Sequence, residues 1–213
     1  MQLRRLEEDV INHVRTNLGI YFFVVLLFLT GSIFGALAVR TLATDQKSEL
    51  MNYLQIFVGD ISSEELPAGN ELLFPTLWAN IKTTILLWLG GLTVIGLPLT
   101  LTLVFTKGFS SGFTVAFLVH EVRWRGFILA ATAILPHGLF SIPALLFLAA
   151  GATCFTFCVL RQRFLKRHSL REAVPFWSYV LFILYAGLAM ILASMVESYI
   201  TPVLVKTTAT WLL

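Results

Sequence analysis

Residues 126–160 read GFILAATAILPHGLFSIPALLFLAAGATCFTFCVL, 35 residues without a charged side chain. A hydrocarbon core about 30 Å thick takes about 20 helical residues to cross, so this run is too long for one crossing and barely long enough for two. Barrel strands would alternate apolar and polar residues, and this run does not. Three more charge-free runs, 16–39, 83–106 and 173–196, hold 24 residues each and suit one helix apiece. Across the 213 residues 57% are apolar and 13% charged, against about 25% charged in ordinary soluble domains. A soluble globular domain, a disordered chain and a disulfide-rich secreted domain are excluded. The fold class is all-α: one polytopic membrane helical bundle over residues 1–213.

The few charges orient it. Eleven of the fifteen basic residues fall on three segments. These are the N-terminal stretch (Arg4, Arg5, Arg15), 107–125 (Lys107, Arg123, Arg125) and 161–172 (Arg161, Arg163, Lys166, Arg167, Arg171). The positive-inside rule puts all three in the cytoplasm. The 35-residue run then starts and ends inside, so it crosses twice or dips and returns. A split at Pro143 leaves two legs of about 26 Å each, whereas a split at Pro136-His137-Gly138 makes the first leg re-entrant. The expectation is two spans here and about five in all, with a Pro-His-Gly helix break, the N-terminus inside and the C-terminus outside. The first run exceeds the apolar core of about 7–15 residues in a signal peptide and reads as a retained span.

Two segments are amphipathic. Within 1–17, Leu3, Leu6, Val10 and Val14 share a helical stripe, which suits an interfacial cytoplasmic helix. The extracytoplasmic loop 40–82 repeats Leu50, Leu54, Phe57 and Ile61 at helical spacing before Pro67-Ala68-Gly69-Asn70 breaks the pattern. Such a stripe fits a partner's groove or lies on the lipid bilayer. Gly31-Ser32-Ile33-Phe34-Gly35 and Gly108-Phe109-Ser110-Ser111-Gly112 are small-xxx-small patterns that let helices approach closely.

Catalytic chemistry is hard to place. There is no phosphate-binding Gly-rich loop ahead of a Lys-Ser or Lys-Thr pair, and no zinc-protease pair of histidines around a glutamate. Loop 40–82 is too short for an independent hydrolase core. Cys154, Cys158 and His137 make a poor metal set, being three ligands of unknown facing. No catalytic residue, cofactor, metal or nucleic-acid partner is expected; a second copy of the chain stays open as a partner. His137 is the one ionisable group inside a charge-free run, where such groups default to a functional hypothesis. A broken helix at Pro136-His137-Gly138 would suit a small transporter or channel. The structural alternative is a kink with neutral His137 bonded to a freed carbonyl. Glu197, at the outer end of the last run, reads as solvated.

GFTVAFL (112–118), the Trp-Arg-Gly of 124–126 and LPHGLFSIPA (135–144) resemble the stage II sporulation protein M family. In that family the last motif usually reads Pro-His-Gly-Ile-Phe-Glu-Leu-Pro-Ala. Pro136, His137, Gly138, Phe140, Pro143 and Ala144 match it, and Ser141 stands where the acid would be. The resemblance implies a non-enzymatic membrane component of forespore engulfment, in the mother-cell membrane at the sporulation septum. It would hold two peptidoglycan hydrolases, stage II sporulation proteins D and P, in one complex. Leu50, Leu54, Phe57 and Ile61 are the candidate docking stripe for them.

Overall fold

The computed structural model describes residues 15–62, 69–165 and 176–212. The amphipathic stretch expected at 1–17 therefore lies almost wholly outside the described residues, as does most of the basic segment 161–172. The described elements are helical throughout: α1 Leu18–Thr41, α2 Thr44–Ser62, α3 Gly69–Leu92, α4 Gly96–Leu165, α5 Phe176–Met195, a π-turn Val196–Ile200 and α6 Thr201–Leu212. Four helical stretches are long and apolar enough to cross a membrane: 18–41, 72–92, 96–160 and 183–208.

A straight α4 of 70 residues would be about 105 Å long, several times the thickness of a bilayer core. It is not straight. Arg123 has φ 55° and ψ −128°, the one set of non-helical angles inside it, and the chain doubles back there. Gly126 packs on the Leu118 carbonyl so closely that a Cβ would collide with it. Leu118, Leu129 and Ala130 then share one buried cluster. The result is a hairpin of two helical arms, 96–122 and 124–165.

The helix break expected at Pro136-His137-Gly138 is absent, and so is a split at Pro143: both prolines sit inside continuous helix. Each proline removes one backbone donor and bends a helix. Unwinding in apolar surroundings would orphan many more backbone groups, so the helix carries its prolines. The reversal falls at Arg123, beside charged and exposed residues. A second correction concerns 83–106, expected as one span. α3 ends at Leu92, and the chain turns through 93–95, where the Gly96 amide donates to the Thr93 carbonyl (3.0 Å). The run is therefore shared between two helices.

Close backbone contacts fix the register of α1 on the first arm. A Cβ on Gly108 would strike the Phe28 carbonyl, and one on Gly112 the Ser32 carbonyl. Seen from the other side, Gly31 abuts Phe105 and Gly35 abuts Phe109. Numbers rise together, so the helices run parallel, and the two small-xxx-small patterns meet each other. Arg123 thus shares an end of the bundle with Thr41 and α2, and lies opposite Leu165. Residues 123–125 and 161–165, from segments expected on one side of the membrane, end up at opposite ends of the hairpin.

α3 and α5 run antiparallel: Asn80 Nδ2 donates to Ser194 Oγ (2.8 Å) near one end and Tyr179 Oη to the Trp88 carbonyl (3.2 Å) near the other. At the 93–95 turn, Thr156 Oγ1 donates to the Gly91 carbonyl (2.8 Å), satisfying an acceptor the end of α3 leaves open. The main core gathers Val24 and Phe28 of α1, Leu87 of α3, Val104, Leu145 and Leu148 of α4, and Met190 of α5.

Candidate functional site

Polar side chains gather at one place between the apolar helices. A cavity of about 490 Å³ opens between α3, both arms of α4 and the π-turn. Its wall carries Lys107, Ser110, Ser111 and Thr114 from the first arm and His137, Gly138 and Ser141 from the second. Thr76 and Asn80 come from α3, and Glu197 from the π-turn.

Helical spacing explains why these side chains converge. Lys107, Ser111 and Thr114 recur at intervals of four and three on the first arm, as do His137 and Ser141 on the second, so each set occupies one face. The hairpin turn brings the two faces together. Lys107 is about 17 Å along the first arm from Gly96, near its middle, at 1.5 Å per residue. Glu197 arrives from a π-turn in which the Thr201 backbone N–H bonds the Val196 carbonyl, five residues back. Single π-turns within helices recur at functional sites.

Hydrogen bonds set the polarity of the wall. His137 Nδ1 donates to the Ala133 carbonyl (3.1 Å). A carbonyl only accepts, so Nδ1 carries a proton, and in the neutral form of the ring Nε2 is the acceptor. The bond matches the sequence's structural alternative only in its carbonyl partner, since the helix is unbroken here and Ala133 is not the carbonyl that Pro136 frees; the ring also lines the cavity. The Ser111 and Thr114 hydroxyls donate to the Lys107 and Ser110 carbonyls (both 2.9 Å), leaving their oxygens as acceptors. Thr76 Oγ1 gives its proton to the Leu72 or Leu73 carbonyl and so receives one from Ser198 Oγ at 2.8 Å. Among the described residues neither Lys107 nor Glu197 has an ion-pair partner within 4.0 Å; the ion pair present is His120–Glu121 (3.0 Å), beside the Arg123 turn.

Glu197 and Lys107 are the residues the sequence misplaced. Each bounds a charge-free run, and a charge at a run's edge resembles a membrane boundary. The family-motif positions divide by face. His137, Gly138 and Ser141 line the cavity, Ala144 is buried in the core, and Phe140 and Pro143 are exposed. Ser141, at the motif's acid position, lines the same cavity as Glu197, so the chain supplies a carboxylate there from another helix. Cys154 and Cys158 lie about five and six turns beyond His137 on the same arm, and no group of three metal-ligating side chains gathers among the described residues.

On α2 the predicted docking stripe faces the bundle at Leu54, which packs on Leu118, Leu129, Ala130 and Val205. Leu50 is half-buried beside it. The side chains of Phe57 and Ile61 lie outside the described residues. Tyr53 and Ile56 project the other way, 66% and 61% exposed.

Comparison with known proteins bears on this geometry. The family model for stage II sporulation protein M matches residues 24–202. A protein of Methanocaldococcus jannaschii described as uncharacterized is 26% identical over 180 residues, covering 84% of this chain and 91% of its own. No solved structure matches. The matched span runs from α1 into α6 and takes in the hairpin, the cavity and the Pro-His-Gly motif, and the chain belongs to the stage II sporulation protein M family.

Proposed function

We propose that the protein is a non-enzymatic, multi-pass membrane scaffold that recruits and anchors peptidoglycan hydrolases at the sporulation septum during engulfment. The partners that the family resemblance implies are stage II sporulation proteins D and P. α1, α3, the two arms of α4 and the α5–α6 unit each cross once, with α2 and the Arg123 turn on the outer side. Peptidoglycan lies outside the membrane, and α2 is the long polar helix at that end.

The observation that carries this reading is how α2 is held. Leu54 anchors it to Leu118, Leu129, Ala130 and Val205, so the helix is a fixed ledge rather than a free amphipathic segment. Fixing a surface in advance lowers the entropy cost of docking. Tyr53 and Ile56 form an outward apolar face, and two such anchors on one helix face suit recognition by a groove. Docking therefore uses the Tyr53 side of α2, and Leu54 supports it from beneath.

The test is co-purification from detergent-solubilised sporulating cells. Tyr53→Glu/Ile56→Glu should cut the recovered hydrolases at least tenfold while membrane levels of the protein stay unchanged. Recovery at wild-type yield refutes the docking surface. Normal engulfment in a deletion strain, with the septal wall thinned as usual, refutes the role itself.

A further inference from the structure

We infer that the polar cavity is a binding site for a small zwitterion, a group carrying a primary ammonium and an oxyanion a few bonds apart. It stands apart from the scaffold reading, which makes no use of the cavity.

Both signs of charge stand on the wall. Lys107 and Glu197 lack an ion-pair partner within 4.0 Å among the described residues, although they line the same space. Lys107 is exposed and Glu197 half-buried, so both open onto the cavity rather than into the packed core, and charges placed within membrane-spanning helices mark substrate or ion pathways. The wall is neutral in sum. A simple anion would meet Lys107 and leave Glu197 unmatched, and a simple cation would do the reverse. A zwitterion answers both at once, with no net charge brought into a region of low dielectric.

Hydrogen-bond polarity narrows the class. His137 Nδ1 is committed to the Ala133 carbonyl, so in the neutral ring Nε2 is an acceptor on the wall that also carries the Glu197 carboxylate. Two acceptors call for a cation with N–H donors, hence a primary ammonium rather than a quaternary one. On the other side, Lys107 supplies three donors to an oxyanion. The volume, about 490 Å³, falls within the range of about 300–1,000 Å³ for small-molecule sites. The π-turn adds the second structural sign: it departs from helical regularity at the segment that bears Glu197.

The same chemistry belongs to a soluble zwitterion and to an aminophospholipid headgroup, and two arms separate them. In the first, the full-length protein in detergent is titrated with O-phosphoethanolamine by calorimetry. In the second, the protein in nanodiscs of mixed phosphatidylethanolamine and phosphatidylcholine is ejected into a mass spectrometer and its retained lipid identified. Binding in the first arm assigns a soluble ligand. Selective retention of phosphatidylethanolamine alone assigns a headgroup.

In whichever arm binds, Lys107→Met and Glu197→Gln should each weaken binding at least tenfold, and choline analogues should bind at least tenfold more weakly. Inorganic phosphate or ethanolamine alone should likewise fall short of O-phosphoethanolamine. Where a charge variant fails to fold, Ser141→Leu fills the cavity with both charges in place and should abolish binding too. Binding in neither arm overturns the proposal, as does indifference to all three substitutions. So does a Lys107→Met/Glu197→Gln double variant that regains the stability each single variant loses while the wild type binds no probe, which would make the two residues an ion pair and nothing more.

Discussion

Gly35→Ala adds a single carbon to α1, and that carbon meets only backbone. It would strike the Phe109 carbonyl oxygen and lie 2.8 Å from the Phe113 nitrogen and 2.9 Å from the Phe109 carbonyl carbon. None of these atoms can rotate aside. Non-bonded carbons rest about 3.5–4.0 Å apart, so α1 and the first arm of α4 must separate by roughly 1 Å. A radial gap of about 0.5–1 Å forfeits roughly a quarter to a half of each contact's dispersion energy along the shared face. Lipid is as apolar as the side chains, so no hydrophobic term offsets that loss. Overpacking of this kind costs about 1–3 kcal/mol.

Alanine is also a better helix former than glycine by about 1 kcal/mol, so the steric cost must be isolated. Gly187→Ala does this, because its Cβ meets only Thr84 Cγ2 at an ordinary 3.7 Å. Both variants gain the propensity; Gly35→Ala alone carries the clash. Reversible unfolding in mixed micelles with rising sodium dodecyl sulfate, followed by helical circular dichroism, should place Gly35→Ala about 1–3 kcal/mol below Gly187→Ala. Equal stability of the two would refute the parallel, backbone-to-backbone packing of α1 on α4.

Two further substitutions probe the turns. Arg123 holds a positive φ of 55°, which a Cβ disfavours, so Arg123→Gly should stabilise the protein by about 1 kcal/mol and Arg123→Ile should destabilise it in the same unfolding assay. Thr156→Val keeps the shape but removes the donor to the Gly91 carbonyl. It should cost about 1 kcal/mol, near the upper part of the range measured for hydrogen bonds between membrane helices.

Much of the fold is legible in the sequence because lipid demands long apolar helices, and runs such as 16–39 announce themselves. The boundaries are less legible. Counting between charges treats each charge as an edge, yet Lys107 and Glu197 line the cavity between the helices. The true turn at 93–95 carries no charge; its signal is GGLTVIG, whose glycines close the turn inside an apolar run. Proline misleads in the opposite direction. Pro136 and Pro143 look like breaks, but unwinding a helix among apolar neighbours leaves more backbone groups unsatisfied than one proline removes. The two small-xxx-small patterns are visible singly, and that they pair is a tertiary fact. Of the cavity, His137 stands out alone in the sequence; its partners lie 30 and 60 residues away and meet it only through the hairpin.

The reversal at Arg123 is what brings Lys107, His137 and Glu197 together and sets α2 beside the turn. Its most direct test is labelling of single cysteines by an impermeant maleimide, with Cys154→Ser and Cys158→Ser as background. Tyr53→Cys and Trp124→Cys should react from the outer side, and Val94→Cys only after the inner side is opened. Labelling of Trp124→Cys from the side opposite Tyr53→Cys would contradict the account, because the two arms of α4 could not then form the hairpin that builds the cavity.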